Sequence, residues 1–207
     1  MSDRRLLPNI LITGTPGCGK TAHARNLVDK IPELKHFQIS DIAKSRNAIV
    51  GYDEARDTSV VDEDKLLDSI EADLEAGGVV IDWHCCDIFP ERLIDLVIVL
   101  RCDNGILFDR LKERKYKQSK IDENLDVEIM DVIAQEAKES YVPEIVIELQ
   151  SEQIENMNEN VERIVTWFEN WKKDHKDGVS NLLGNNESEI ETETESENDE
   201  SENDEST

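Results

Sequence analysis

Ile10-Leu11-Ile12-Thr13-Gly14-Thr15-Pro16-Gly17-Cys18-Gly19-Lys20-Thr21 is an apolar run that breaks into glycines and ends on Lys-Thr. Residues 14–21 fit G-x-x-x-x-G-K-[ST], the phosphate-binding loop that follows a strand and opens a helix. With this composition the pattern arises by chance in roughly 0.2% of such chains, before its strand and helix context is required. The chemistry accounts for the residue types. Glycines let successive backbone N–H groups turn inward onto phosphate oxygens, and the helix expected from about Gly19 to Ile31 adds the positive end of its dipole. Lys20 is then expected to contact the β- and γ-phosphates of ATP, and Thr21 to ligate Mg²⁺ through its hydroxyl.

Outward from this stretch, short apolar runs recur at Phe37-Gln38-Ile39, Val79-Val80-Ile81, Leu96 to Leu100 and Ile145 to Leu149. Amphipathic segments separate them: Asp62 to Ala76, Gly105 to Arg114 and Asn124 to Tyr141. The alternation predicts an α/β protein whose parallel sheet is flanked by helices. Apolar residues from Ile154 to Trp171 at three- and four-residue steps predict a last helix to about Lys173.

The net charge of −25 argues against binding nucleic acid through a basic surface. It is unevenly spread: residues 187–207 contain eleven acids and no Lys or Arg, so the first 186 residues carry −14. Glu-Ser-Glu-Asn-Asp occurs at 195–199 and again at 200–204, and such a segment buries too little apolar surface to offset its chain entropy. We expect one domain over 1–178 and a disordered acidic tail over 179–207. No apolar run approaches the roughly 18 residues of a membrane span, and no secretory signal opens the chain, so a soluble intracellular protein is expected. Cys18, Cys85, Cys86 and Cys102 lack metal-site spacing, which favours packed thiols.

A phosphate loop needs an acid near its metal, and Val79-Val80-Ile81-Asp82 supplies one at a strand end. His84, two residues on, is a candidate for orienting a water or approaching the γ-phosphate. The Asn-Lys-x-Asp of a GTPase is missing, whereas a small nucleotide kinase needs an acceptor pocket and an arginine-bearing lid. Ser40, Asp41 and Lys44 begin a short excursion suited to the acceptor, and Arg92 is a candidate for its phosphate. For the lid, residues 110–117 hold five cations in an otherwise acidic chain, with Arg114 the first candidate to stabilise the transferring phosphoryl group and Arg110 the second.

Several of these stretches, with Gly51-Tyr52-Asp53-Glu54, Asp82-Trp83-His84, Phe89-Pro90-Glu91-Arg92, Val99-Leu100-Arg101 and Glu139-Ser140-Tyr141, resemble the adenylate kinase isoenzyme 6 family over about residues 7–177. The resemblance implies an adenylate-kinase-like five-stranded parallel sheet, a nucleoside-monophosphate (NMP) insert near 38–61 and a short lid near 113–123. Gly17, Cys18, Gly19, Lys20, Thr21 and Ala22 fall on the family's ATP loop, Arg114 on its lid arginine, and Asp82 with His84 on its acid–histidine pair. It further implies NMP kinase activity (ATP and AMP to two ADP) with ATPase activity, and Mg²⁺ as cofactor. A small-subunit ribosomal protein and the pre-40S particle are the implied partners, in late 18S ribosomal RNA processing. Nucleus and cytoplasm are the expected locations; membrane and sequence-specific nucleic-acid binding are not expected. Metabolic nucleotide buffering and nucleotide-independent acidic chaperoning are the alternatives. Lys44 stands where some members carry Arg, and Lys115 where others carry Gly.

Overall fold

Ile10 and Ile12 pack on one face of a central sheet and Leu11 on the other, as the two-residue period of a strand dictates. All three are fully buried, and each contributes on the order of 2 kcal/mol of apolar burial. They belong to β2 (Ile10–Gly14) in a computed structural model that describes residues 4–54 and 58–182. In chain order β1 (Arg4–Arg5) and β2 precede α1 (Lys20–Lys30), β3 (Lys35–Gln38), α2 (Ile39–Ser45), β4 (Ile49–Asp53), β5 (Thr58–Val61), α3 (Glu63–Ala76) and β6 (Val79–Asp82). Then follow β7 (Leu96–Arg101), α4 (Asn104–Glu113), α5 (Gln118–Ile129), α6 (Val132–Ser140), β8 (Val146–Gln150), α7 (Ile154–Asp174) and β9 (Val179–Ser180).

The sheet is parallel, ordered β3-β6-β2-β7-β8. On the Leu11 face it meets Leu66, Ile70 and Leu74 of α3 and Ile133, Ala134 and Ala137 of α6. On the Ile10 face it meets Leu27 of α1, Leu107 and Leu111 of α4, and Val161, Ile164 and Phe168 of α7. Both faces are covered, which is why the strands read as continuous apolar runs. Register sets the working edge: Ile12 and Gln38 both pair with Asp82, and Gly14 with Leu100, so the strands finish together beside the phosphate loop.

At the opposite edge Asn9 ties α3, β6 and the turn that precedes β7 together. Its Nδ2 donates to Leu74 O and Leu93 O, and its Oδ1 accepts from Val79 N. Beside it Arg5 is buried and forks onto both Asp95 oxygens at 2.8 and 3.1 Å.

Three sequence expectations change. The helix expected over 124–141 is two helices, α5 beginning six residues earlier and α6 following a break at Met130–Asp131, where Asp131 adopts φ 55°. That left-handed conformation stops a helix, and a short polar side chain tolerates it. The domain also runs past Gly178: β9 pairs antiparallel with β1, and Asn181 is buried, accepting from Arg5 Nη1. Ile39, expected to end a strand, opens α2 instead. The acidic repeats of the expected tail lie outside the described residues. Within the stretch expected to hold the NMP insert are α2 and the β4–β5 hairpin, whereas the stretch expected as the lid spans the 114–117 turn and the start of α5.

Candidate active site

The phosphate loop joins β2 to α1 with its backbone bent where only glycine is comfortable. Gly14 has φ 137°, and a Cβ there would sit 2.5 Å from Leu100 O, a backbone atom that cannot yield. Gly19 caps α1 at φ 93°, leaving the first N–H groups of the helix facing outward. Lys20 Nζ donates to Gly14 O at 2.6 Å and Thr15 O at 3.2 Å, which holds the ammonium at the mouth of the loop. Burial lowers its pKa, helped by Arg114, while Cys18 and Asp82 oppose. Charge placed there therefore gains from an arriving anion.

Lys20, Thr21, Asp82, His84 and Arg114 meet around one open cleft of about 200 Å³, with Pro16, Gly17, Gln38, Ser40 and Trp83 completing its walls. Thr21 Oγ1 donates to Asp82 Oδ2 at 2.6 Å, although the two lie sixty-one residues apart in sequence. Arg114 reaches the cleft as the C-terminal cap of α4. His84 is fixed through its backbone, whose carbonyl accepts from Thr13 Oγ1 at 3.2 Å. Its ring stands edge-on to Trp83 at 5.9 Å between centroids. Solvent reaches the ring, yet desolvation by the cleft walls and the charges of Lys20 and Lys120 push its pKa down to about 4. The imidazole is neutral at physiological pH, so it can accept a hydrogen bond from water.

Other expected site residues are placed elsewhere. The Cys18 side chain is fully buried beneath the loop beside Cys102, so it faces away from the cleft. Ala22 is exposed on the first turn of α1, outside the cleft lining. Ser40 lines the cleft, but Asp41 and Lys44 pair with each other at 3.9 Å on the solvent side of α2. Arg92 does not face the acceptor region. The turn at Glu91–Leu93 carries the chain back to the start of β7, so Arg92 donates to Asn181 O at 2.7 Å and to Glu71 at 3.2 Å at the far edge of the sheet. Arg110 is no free lid cation either. It lies behind the loop and donates to Ser151 O at 2.8 Å, Glu152 O at 2.6 Å and Gly17 O at 3.3 Å, because it sits one turn before Arg114 on the face of α4 that meets α7's approach.

Two histidines escaped the sequence reading. His36 Nε2 lies 3.3 Å from Asp82 Oδ2, a contact set by the β3–β6 register. His23 is buried in α1, with Nδ1 3.0 Å from Gly19 O and Nε2 3.3 Å from Asn160 of α7; burial lowers its pKa. The fit is a neutral ring donating to the Gly19 carbonyl and accepting from Asn160, which braces the end of the phosphate loop. Nothing in the spacing of either histidine signals these roles.

A family model described as an AAA domain matches residues 10–131. The Candida albicans protein named adenylate kinase isoenzyme 6 homolog HBR1 is 62% identical over 189 residues, covering 87% of this chain and 76% of that one. The Saccharomyces cerevisiae protein named adenylate kinase isoenzyme 6 homolog FAP7 is 55% identical over 181 residues, covering 87% and 92%. This chain belongs to the adenylate kinase isoenzyme 6 family. Membership makes it a P-loop nucleotide kinase by family. A gluconokinase from Sinorhizobium meliloti superposes with TM-score 0.55 at 14% identity, covering 83% of this chain and 99% of that one, which shows the shared fold of a five-stranded parallel sheet between helices.

Proposed function

We propose that this family member transfers the γ-phosphoryl group of ATP to a nucleoside monophosphate, AMP first, and hydrolyses ATP more slowly in the same cleft. The observation that carries the reading is the convergence of Lys20, Thr21, Asp82, His84 and Arg114 on one cleft from three separate segments. An acceptor phosphate is already an anionic nucleophile, so the protein's task is alignment and charge neutralisation. Lys20 and Arg114 both line the cleft and supply positive charge to it, and Ser40 with Gln38 offers polar groups to the acceptor. Thr21 Oγ1 and Asp82 Oδ2 are adjacent hard oxygen donors, which suits Mg²⁺, an ion that takes most ligands from water and phosphate. When bound, Mg²⁺ would offset negative charge on the β- and γ-phosphates. For hydrolysis, neutral His84 accepts a proton from, or orients, a water at the cleft rim.

A second reading concerns the use of the cycle. Val50, Tyr52 and Val60 are exposed apolar side chains on the β4–β5 hairpin, and the chain is acidic at −25. The apolar side chains suit a protein surface and the negative charge a basic one, and we propose a small-subunit ribosomal protein of the pre-40S particle, engaged in the nucleus and cytoplasm under ATP control.

The test is ADP formation from ATP with and without AMP, for the wild type and for Lys20→Ala and Arg114→Ala. Loss of AMP-dependent ADP by about a hundredfold or more in both variants is expected; a wild type that forms no ADP from AMP sinks the kinase reading. Pull-down of the basic ribosomal protein with and without ATP decides the second, and ATP-insensitive capture by both wild type and Lys20→Ala overturns nucleotide gating.

A further inference from the structure

Glu128 belongs to none of the residue sets that a phosphate loop suggests, yet it is a carboxylate only 5% exposed in the last turns of α5. An ionised carboxylate tolerates such burial only when paired and hydrogen-bonded. Oε2 accepts from Thr15 Oγ1 at 2.5 Å and lies 3.9 Å from the Cys18 sulfur. Oε1 accepts from Arg101 Nε at 2.9 Å and from the backbone N–H of Cys102 at 3.1 Å. Arg101 also donates to Glu148 at 2.7 Å and pairs with Asp131, so its charge is held by acids on three sides.

The topology gives this carboxylate its significance. The chain leaves β7 at Cys102, forms α4, turns at 114–117 past Arg114, and returns along α5 to Glu128. The Cys102–Glu128 bond closes the base of that excursion, and the Thr15–Glu128 bond fastens the closed base to the phosphate loop. Thr15 is itself held at its other end, because its carbonyl accepts from Lys20 Nζ. One side chain therefore links the segment that presents Arg114 to the loop that presents Lys20.

We propose that Glu128 is a positioning residue for phosphoryl transfer: it clasps the base of the α4–α5 excursion to Thr15, and so keeps Lys20 and Arg114 in register across the cleft. This inference rests on the kinase reading above. Glutamine could keep its oxygen on Arg101 and Cys102 and donate its amide N–H to Thr15 Oγ1, whereas methionine has similar length and no oxygen acceptor for either side. Loss of alignment acts on turnover more than on ATP affinity, since the phosphate-binding backbone remains.

The test compares Glu128→Met, Thr15→Ala, Thr15→Ser and the Glu128→Met/Thr15→Ala pair in the full chain. Expected is a fall in kcat of about tenfold or more for Glu128→Met and Thr15→Ala with the KM for ATP within about threefold. Thr15→Ser, which keeps the hydroxyl, stays within about twofold of wild type, and the double variant is no worse than the poorer single one. Amide hydrogen exchange supplies a readout independent of turnover: residues 15–20 and 114–117 exchange faster together in both single variants while circular dichroism reports the fold intact. Unchanged kcat with only a lowered melting temperature, multiplicative losses in the double variant, or unaltered exchange in Thr15→Ala overturns the clasp. If the wild type transfers no phosphoryl group, the kinase reading fails, and the exchange arm still decides whether the clasp exists.

Discussion

Asp82→Asn separates the charge of the acid from its shape. In the wild type Asp82 is 5% exposed, accepts from Thr21 Oγ1 at 2.6 Å and lies 3.3 Å from His36 Nε2. Asparagine fits the same space and retains one oxygen; Thr21 and His36 both meet Oδ2, so the two contacts keep their acceptor and lose its charge. Replacing one charge-assisted bond by a neutral one costs about 1–2 kcal/mol of stability, too little to unfold a domain of this size. The effect on turnover is larger, because the lost negative charge faces the proposed Mg²⁺ position directly. We expect kcat to fall by about 10²–10³, equivalent to about 2.7–4 kcal/mol of transition-state stabilisation. The assay is coupled ADP formation across a MgCl₂ titration at fixed ATP and AMP, with thermal melts in parallel. Half-saturation should move to higher Mg²⁺, while the melting temperature drops by only a few degrees. A kcat within about threefold of wild type and an unmoved Mg²⁺ midpoint would refute the assignment of Asp82.

Other outcomes follow from particular side chains. His84→Ala should reduce ATP hydrolysis more than transfer to AMP, since only hydrolysis needs an oriented water; equal losses in both assays remove His84 from that role. Because its folded pKa is about 4 against an ordinary 6.5, NMR titration should show the ring protonating only well below pH 6. The folded state resists that proton, so the contribution of this ring to stability is complete above 6.5 and is lost as pH falls from there through the folded value. Lys115 follows Arg114 at φ 59°, and Lys115→Gly relieves about 1–2 kcal/mol of left-handed strain against about 0.5–1 kcal/mol of added chain entropy, so urea denaturation should show equal or slightly higher stability. A clear loss of stability there contradicts the strain argument. Arg5→Ala strands buried Asp95 and should cost about 3–5 kcal/mol in a denaturant titration; a change under about 1 kcal/mol would mean that the pair is not closed in solution.

The phosphate loop, the acid at the end of β6 and the cation-rich turn were legible because each is a local pattern whose chemistry fixes residue type and spacing. Lys20, Thr21, Asp82, His84 and Arg114 reach the same cleft as such reasoning implies. Arg92 and Arg110 were misplaced for a common reason: an arginine's partners depend on which way its element turns, and both found backbone carbonyls that no sequence pattern reveals. Likewise the break between α5 and α6 falls at Met130–Asp131, with neither Gly nor Pro to mark it, and Arg101 receives the side chain that the break presents.

The sequence by itself determined the alternation of strands and helices, the parallel sheet and the nucleotide loop, since hydrophobic period and glycine placement are properties of neighbouring residues. Only the tertiary structure decided that His36 would meet Asp82 and that Glu128 would reach Thr15 from 113 positions away. Those contacts come from strand register and from where α5 returns after its excursion. A carboxylate's partners are whatever donors the fold brings to it, and burial then makes those partners obligatory.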